Sequence, residues 1–458
     1  MRWWTMLSAA LLAATIGYGC TGEPEPAGKG GGEPKGTRAG EGAGTPARTG
    51  PGTDAGTPAG TPGNAGGAAI EPRALDPFLK KGIGWLVEAQ HEDGGWGGGS
   101  HSRQDIRDPH AVKTDPGTTA FVAMALLRAG NTPLAGDHRD ALRRATDYLL
   151  AAVEKAPADG PQITDITGTQ PQSKLGQNVD TSLAAQYFTR LLPQIKGDAQ
   201  LEARVTAALD KCVAKIQKSQ KGDGSWNHGG WAPVLQSAMA NNALEGARVA
   251  GRTVDLGVLE RSRDYQKGNF DETTGEPSAR ASGSSAGVGL YAVASSQRAA
   301  AAEAKEAEDK IKQAQMDGKL PAGDIEVNQT NLTVAGFEAP KAEKLAKSYA
   351  QSEATAKALD SEQMLAGFGN NGGEEYLSYM MTSEALVIQG GDKFTAWQDK
   401  MRARVEKVQN GDGSWSGHHC ITSPVFCTAA VVLCVTADRD APFLVAAAQS
   451  GPKTAAVK

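Results

Sequence analysis

Gln90-His91-Glu92-Asp93-Gly94-Gly95-Trp96 recurs twice further along the chain, as Gln220-Lys221-Gly222-Asp223-Gly224-Ser225-Trp226 and as Gln409-Asn410-Gly411-Asp412-Gly413-Ser414-Trp415. Each copy follows an amphipathic stretch: Phe78 to Ala89, Leu201 to Ser219, and Phe394 to Val408. Apolar residues in these stretches return at intervals of three and four, as Ile83, Leu86 and Val87 do, which is the spacing of one helix face. Asp-Gly is expected to end each helix, because glycine accepts the left-handed backbone conformation of a helix exit.

A second, more apolar stretch follows each turn and carries its own start signal. Asp115-Pro116 pairs a capping residue with proline at the first helical position and leads into Thr119 to Leu127; Ser423-Pro424 does the same for Val425 to Val435, and Pro233 opens Val234 to Val249. Stretches apolar on every side read as buried helices. The repeating unit is therefore an outer amphipathic helix, a turn and an inner buried helix.

Degenerate copies of the unit fill the spaces between. Arg139 to Val153, Asp255 to Gln266 and Lys341 to Leu365 read as outer helices, with Asp180 to Leu192, Ser284 to Ser295 and Glu375 to Ile388 as their inner partners. Six pairs suffice to close a ring, whereas an open array would need capped ends. The fold class expected is all-α, an α6/α6 toroid over residues 70–445. Residues 298–317, rich in Ala, Lys and Glu, read as a solvated helical insertion, and residues 446–458 as a disordered tail.

The chain of 458 residues begins with an export-like segment. Arg2 supplies a basic start, Leu7 to Ile16 an apolar core too short to span a bilayer, and small residues lead to Cys20. Gly19-Cys20 after such a core resembles a bacterial lipoprotein signal, in which the cysteine becomes the lipidated N-terminus. Gly17 and Tyr18 depart from that pattern, so ordinary cleavage and an uncleaved anchor stay open beside lipidation of Cys20. Thr21 to Ala69 is Gly-, Pro- and Thr-rich and cannot bury enough surface to offset its ordering entropy; it reads as a disordered tether reaching about 40 Å. The expectation is an exported protein of the cell envelope, lipid-anchored or periplasmic or secreted, whose partner is a membrane through that anchor. A net charge of −5 argues against a nucleic-acid partner.

The Gln-x-x-Asp-Gly-x-Trp turn followed by a buried, Thr- and Ala-rich helix resembles the repeat of the terpenoid cyclases of squalene–hopene type and of protein prenyltransferase β subunits. The resemblance implies that Gln90, Trp96, Gln220, Trp226, Gln409 and Trp415 tie adjacent repeats together at the outside of the ring. It also shows what is missing. The cyclase acid motif, Asp-x-Asp-Asp, has no counterpart, since no Asp-Asp pair occurs in the chain. Cyclase cavities are lined with aromatic rings that stabilise carbocations; the inner stretches here offer only Phe121, Tyr187, Phe188, Tyr291, Tyr376, Tyr379 and Phe426, in a sequence that is 5% aromatic. The prenyltransferase zinc set would need Asp-x-Cys where Glu374-Glu375-Tyr376-Leu377 stands, and His near Phe426-Cys427-Thr428. The diphosphate–magnesium motif and the thioester run of macroglobulin-like toroids are absent too.

In a toroid the N-terminal ends of the inner helices meet at one mouth. This gathers Asp115, Asp180, His228, Glu374, Glu375, His418, His419 and Cys420 as binding candidates, with Asp115, Asp180 and Glu375 the candidate acids should there be chemistry. Asp115 and Asp180 are expected to be helix caps and His228 a turn residue. His418-His419-Cys420 is the one metal-like cluster, which Glu374 or Glu375 could complete; adjacent histidines on a turn seldom share an ion, so no metal and no cofactor is assigned. Among the cysteines, Cys427 and Cys434 are two helical turns apart, too far to bridge, and Cys420–Cys427 is conceivable across a loop; Cys420, Cys427 and Cys434 read mostly as buried small apolar residues. The reading is a toroidal binding or scaffold module taking an apolar small molecule or a protein partner, with a cyclase- or prenyltransferase-like enzyme acting on a polyprenyl or other apolar lipid as the alternative.

Overall fold

The computed structural model describes residues 70–278, 286–323, 325–369 and 372–449. The expected signal segment, Cys20, the tether and residues 450–458 lie outside the described residues. Among those described, no helix is long and apolar enough to cross a membrane.

Outer and inner helices alternate as the repeat requires. In chain order they are outer α1 (Pro77–Glu88), inner α2 (Pro116–Arg128), outer α3 (Arg139–Lys155), a short α4 (Gln170–Leu175), inner α5 (Val179–Leu191), outer α6 (Ala199–Lys218) and inner α7 (Pro233–Val249). Outer α8 (Leu256–Lys267), inner α9 (Ala286–Met316), short α10 (Gln329–Val334), outer α11 (Ala339–Ala358) and short α12 (Glu362–Ala366) follow. Inner α13 (Gly373–Gln389), outer α14 (Gly391–Lys407), inner α15 (Pro424–Val435) and a terminal α16 (Ala441–Gln449) complete the domain. Each inner helix packs on the next, from α2 through α5, α7, α9, α13 and α15 and back to α2. The fold is a closed α/α toroid.

The repeated turn is what joins the outer layer. Gln90 Nε2 donates to Gly94 O within its own turn and to Ala141 O of α3; Gln220 donates to Gly224 O and to Val258 O of α8. Gln409 donates to Gly413 O and to Phe78 O of α1, so the same device that links neighbours also joins the last repeat to the first. The indole N–H groups of Trp96, Trp226 and Trp415 donate at 2.7 Å to Leu86 O, Ile216 O and Val405 O, carbonyls in the last turns of α1, α6 and α14. All three indoles are fully buried; removing about 150–250 Å² each from water favours folding by about 4–6 kcal/mol per ring.

Four features differ from the sequence reading. The helices stop before the Asp-Gly pair, at Glu88, Lys218 and Lys407. Gly94, Gly224 and Gly413 do sit at φ of 85°, 88° and 103°, but their further role is contact: a Cβ on Gly224 would lie 2.3 Å from Arg261 O of the next outer helix. The charged stretch 298–317 is no separate insertion, because α9 runs unbroken from the ring wall to Met316. Its alanine face is buried: Ala307, Ile311 and Ala314 pack with Leu320, Leu332, Ala335, Ala342 and Leu345 into a second small core shared with α10 and α11, and only the other face meets solvent. The fifth outer stretch divides into α11 and α12 rather than running to Leu365. Finally, the expected tail from residue 446 is helical to Gln449, with Leu444, Ala447 and Ala448 buried as α16 lies against α7, α9 and α13.

Candidate functional site at the mouth of the ring

Asp115 caps α2, its carboxylate accepting from Thr118 N at 2.7 Å, from the Thr118 hydroxyl and from Gly98 N. Asp180 is not the cap of its own helix, as the sequence suggested: α5 starts one residue earlier, after Asn178, and Asp180 reaches across to accept from Gly117 N of α2 at 2.8 Å and from Gln172 Nε2. It satisfies an orphan amide of the neighbouring helix and so locks the first two inner helices together. Both acids are wholly buried. Burial raises the Asp115 carboxyl above its ordinary range, and burial beside Asp115 pushes Asp180 up to about 7. The two buried carboxyls are close enough for the charge of Asp115 to oppose ionisation of Asp180.

On the opposite side of the mouth, Glu374 and Glu375 open α13 and are buried. The loop before α15 runs beside them, with a parallel bridge between Gly372 and His419, and Ile421 N facing Glu374 Oε2 at 3.4 Å. One oxygen, Oε1, of Glu375 accepts from Phe368 N at 2.8 Å and faces His419 Nε2 at 3.3 Å; its other oxygen has no partner. His419 Nδ1 faces His418 Nε2 at 3.2 Å. Donor atoms of Glu374, His419 and Cys420 lie within 4.8 Å of one another. Glycine is required around them, since a Cβ on Gly372 would meet Glu375 Oε2 at 2.4 Å and His419 Nε2 at 2.8 Å. Cys420 has φ 57°, the single positive value outside glycine among the described residues, a conformation held by its surroundings. Burial, and then the neighbouring Glu375 charge, push Glu374 up to about 7. Burial alone would lower His419, but its contact with Glu375 and the field of Glu374 carry it above its usual value.

Lys174 was not singled out from the sequence. It is buried in α4, with Nζ 4.7 Å over the Trp231 ring, and its charge acts on both Glu374 and His419. Gln170, on the same short helix, receives Thr422 N at 2.7 Å and Ser423 N at 3.0 Å, tying the loops of the two sides. The local signal was present: Thr169 and Gln172 form a capping box, a Thr-x-x-Gln start that marks α4. His228 is a turn residue, its Nε2 against Ser219 O at 2.5 Å. Of the thiols, Cys427 donates toward Ile421 O and Cys434 lies 3.4 Å from Ser383 Oγ; both are buried, and the conceivable Cys420–Cys427 bridge is not made.

The other end of the ring carries a charge network. Arg128 of α2 donates to Glu384 of α13 at 2.7 Å, to Asp440 at 2.8 Å and to Leu433 O of α15 at 2.7 Å. Arg190 of α5 pairs with Asp440 at 2.7 Å and faces Glu384 at 3.6 Å. Two cations and two anions thus join helices that are not neighbours in the ring, and Phe443 of α16 lies under the Arg190 guanidinium at 4.6 Å. Among the described residues, several aromatic side chains pack within or between the helix layers. Tyr187 OH pairs with Thr146 of α3, Tyr379 OH with Leu365 O of the outer layer, and Phe121 stacks on Phe426 between α2 and α15 at 4.6 Å.

The squalene-hopene cyclase C-terminal domain family matches residues 64–170, which hold the first complete repeat and the start of the mouth. Over these residues the repeat is similar to that of the squalene-hopene cyclase C-terminal domain. No curated protein matches the sequence. Among solved structures, the toroid is similar to an inactive variant of the α-1,6-mannanase GH76A of Salegentibacter sp. HEL1_6 in complex with α-1,6-mannotriose, at 8% identity over 80% of this chain and 98% of that one, with a TM-score of 0.48. It is likewise similar to the GH76A α-1,6-mannanase of the same organism, at 10% identity over 79% and 98% of the two chains, with a TM-score of 0.46.

Proposed function

We propose that this toroid is a binding module that presents the mouth formed by α2, α5, α13 and α15 to its ligand, held at a membrane surface by a lipid on Cys20 and the 21–69 tether. The observation that carries the reading is the Arg128–Glu384–Arg190–Asp440 network, with α16 packed beside it. A polyprenyl chain threading the ring would have to displace four mutually paired charges, each of which would then be buried without its counter-ion. The mouth supplies instead polar and titratable groups held by helix N-termini and by the α4 latch. Purified protein incubated with squalene and with polyprenyl diphosphates is expected to return them unchanged by gas chromatography and mass spectrometry; a cyclised or transferred product overturns the reading. The tether is tested separately by mass spectrometry of the mature N-terminus, where an unmodified end would sink the lipid anchor.

A further inference from the structure

We infer that Glu374, His419 and Cys420 form a binding site for one divalent transition-metal ion, zinc above all, at the mouth of the ring. The inference goes beyond the binding-module reading and stands whether or not the ring is catalytic.

Three observations support it. First, one carboxylate oxygen, one imidazole nitrogen and one sulfur converge within 4.8 Å, from two different segments of the chain. Donors around a tetrahedral zinc ion at 2.0–2.3 Å are about 3.3–3.8 Å apart, so the closing movement needed is on the order of an ångström. The donor types, O, N and S together, suit zinc rather than the oxygen-seeking calcium or magnesium. Second, Glu375 is fully buried and its Oε1 lies 3.3 Å from His419 Nε2, so a buried carboxylate stands directly beside the imidazole. Its remaining oxygen is buried and unpartnered, an expensive state for a carboxylate in the absence of a nearby cation. Third, the backbone is committed to holding these groups together. Gly367 and Gly372 leave room for the Glu375 carboxylate, and the Gly372–His419 bridge fixes the His-Cys loop to the start of α13.

Charge balance favours the same occupant. The Glu374 carboxylate and a Cys420 thiolate would neutralise a dication, while Lys174 keeps its ammonium over Trp231. Three protein ligands leave a fourth tetrahedral position, open to water or to a donor group of a bound molecule.

The test uses the tag-free full chain, stripped with a chelator and reloaded with zinc alone, then cobalt alone. One zinc per chain by elemental analysis is expected. Loading with Co²⁺ is expected to give the near-ultraviolet absorption of a cobalt–thiolate bond, absent in Cys420→Ser. His419→Ala and Cys420→Ser should each weaken zinc by more than about 100-fold, and Glu375→Gln by about 10–100-fold, the scale of an outer-shell partner. Circular dichroism of each variant confirms folding, and the near-isosteric Glu374→Gln serves if another fails to fold. Sub-stoichiometric zinc in the reloaded wild type, or full zinc retention by the His419→Ala/Cys420→Ser double variant, overturns the site. Neither outcome touches the binding-module reading, which falls only on product formation from a polyprenyl substrate.

Discussion

Replacing Arg128 by methionine should be the most damaging single change in the ring that leaves its volume nearly constant. Arg128 and Glu384 are each only 2% exposed in their side chains, and Arg128 also holds Asp440 and the Leu433 carbonyl. Without it, two carboxylates share Arg190 alone, with Glu384 left at 3.6 Å from that guanidinium. Breaking a buried pair by removing one partner costs about 3–5 kcal/mol. The Asp440 carboxyl gives part of this independently. Burial alone would raise it, but Arg128 and Arg190 outweigh that and hold it at about 2. Against its ordinary value of 3.8, the difference is worth about 2 kcal/mol at neutral pH. Since the folded value is depressed, this stability is present above pH 3.8 and disappears as pH falls through about 2, so the penalty of Arg128→Met should shrink in acid. The assay is urea denaturation followed by far-ultraviolet circular dichroism at pH 7 and pH 3, reading the midpoint at constant slope. The double variant Arg128→Met/Glu384→Met should recover most of the loss, because an apolar replacement of both partners leaves no orphan charge. A single variant losing less than about 1 kcal/mol, or a double variant as unstable as the sum of the singles, refutes the argument.

Asp180 should impose the opposite pH dependence. Its folded value of about 7 lies above the ordinary 3.8, so its contribution is full below pH 3.8 and is lost as pH rises through 7, a span worth at most about 4 kcal/mol; Asp180→Asn should therefore gain on the wild type between pH 5 and pH 8 in urea melts, and an unchanged difference would count against a protonated Asp180. Gln409→Ala removes the hydrogen bonds to Phe78 O and Gly413 O that join the last repeat to the first, with an expected loss of about 1–3 kcal/mol and faster amide exchange in α1 and α14; protection unchanged in both helices would contradict ring closure by this side chain. Gly224→Ala puts a methyl group against Arg261 O at a φ of 88°, which should cost at least about 2 kcal/mol in the same melts; a neutral effect would show that the next outer helix yields.

The outer layer was legible because its signals are local. A glutamine, a glycine with positive φ and a tryptophan within seven residues specify the turn, and the helices on either side show their period directly. Asp115 and Ser423 announced themselves as caps by standing before a proline, and both accept the expected backbone amides. Asp180 could not be read in the same way, because its amide partner belongs to a helix more than sixty residues earlier and nothing in its own neighbourhood records that. The charged stretch after Ser295 misled for a related reason. Ala, Lys and Glu at every third or fourth place describe a solvated helix, and alanine is too small to advertise the face that α10 and α11 cover. The convergence of Glu374 with His419 and Cys420 was visible as a juxtaposition once the repeats were aligned, but its separation was not; that depends on Gly367 and Gly372 making room for Glu375.

The two ends of the inner helices have opposite chemistry, and the reason lies in helix polarity. At the N-terminal mouth the helix ends expose N–H groups and partial positive charge, which suits acids; Asp115 and Ser423 accept such amides within their own helices, Asp180 does so for α2, and the Glu374–Glu375 pair sits in the first turn of α13. At the far end, carbonyls are left over, and Arg128 donates to Leu433 O in the last turn of α15 as well as to carboxylates. Arginine is favoured there for its several donors, which satisfy carbonyls and acids together. Once those arginines are buried they need anions, and Glu384 and Asp440 provide them from α13 and from the segment leading into α16. The charge network therefore follows from closing a ring of parallel inner helices without leaving their carbonyl ends unsatisfied. Partial positive charge at helix N-termini does not itself favour a cation; the acids it gathers at the mouth, Glu374 among them, are what would hold one there.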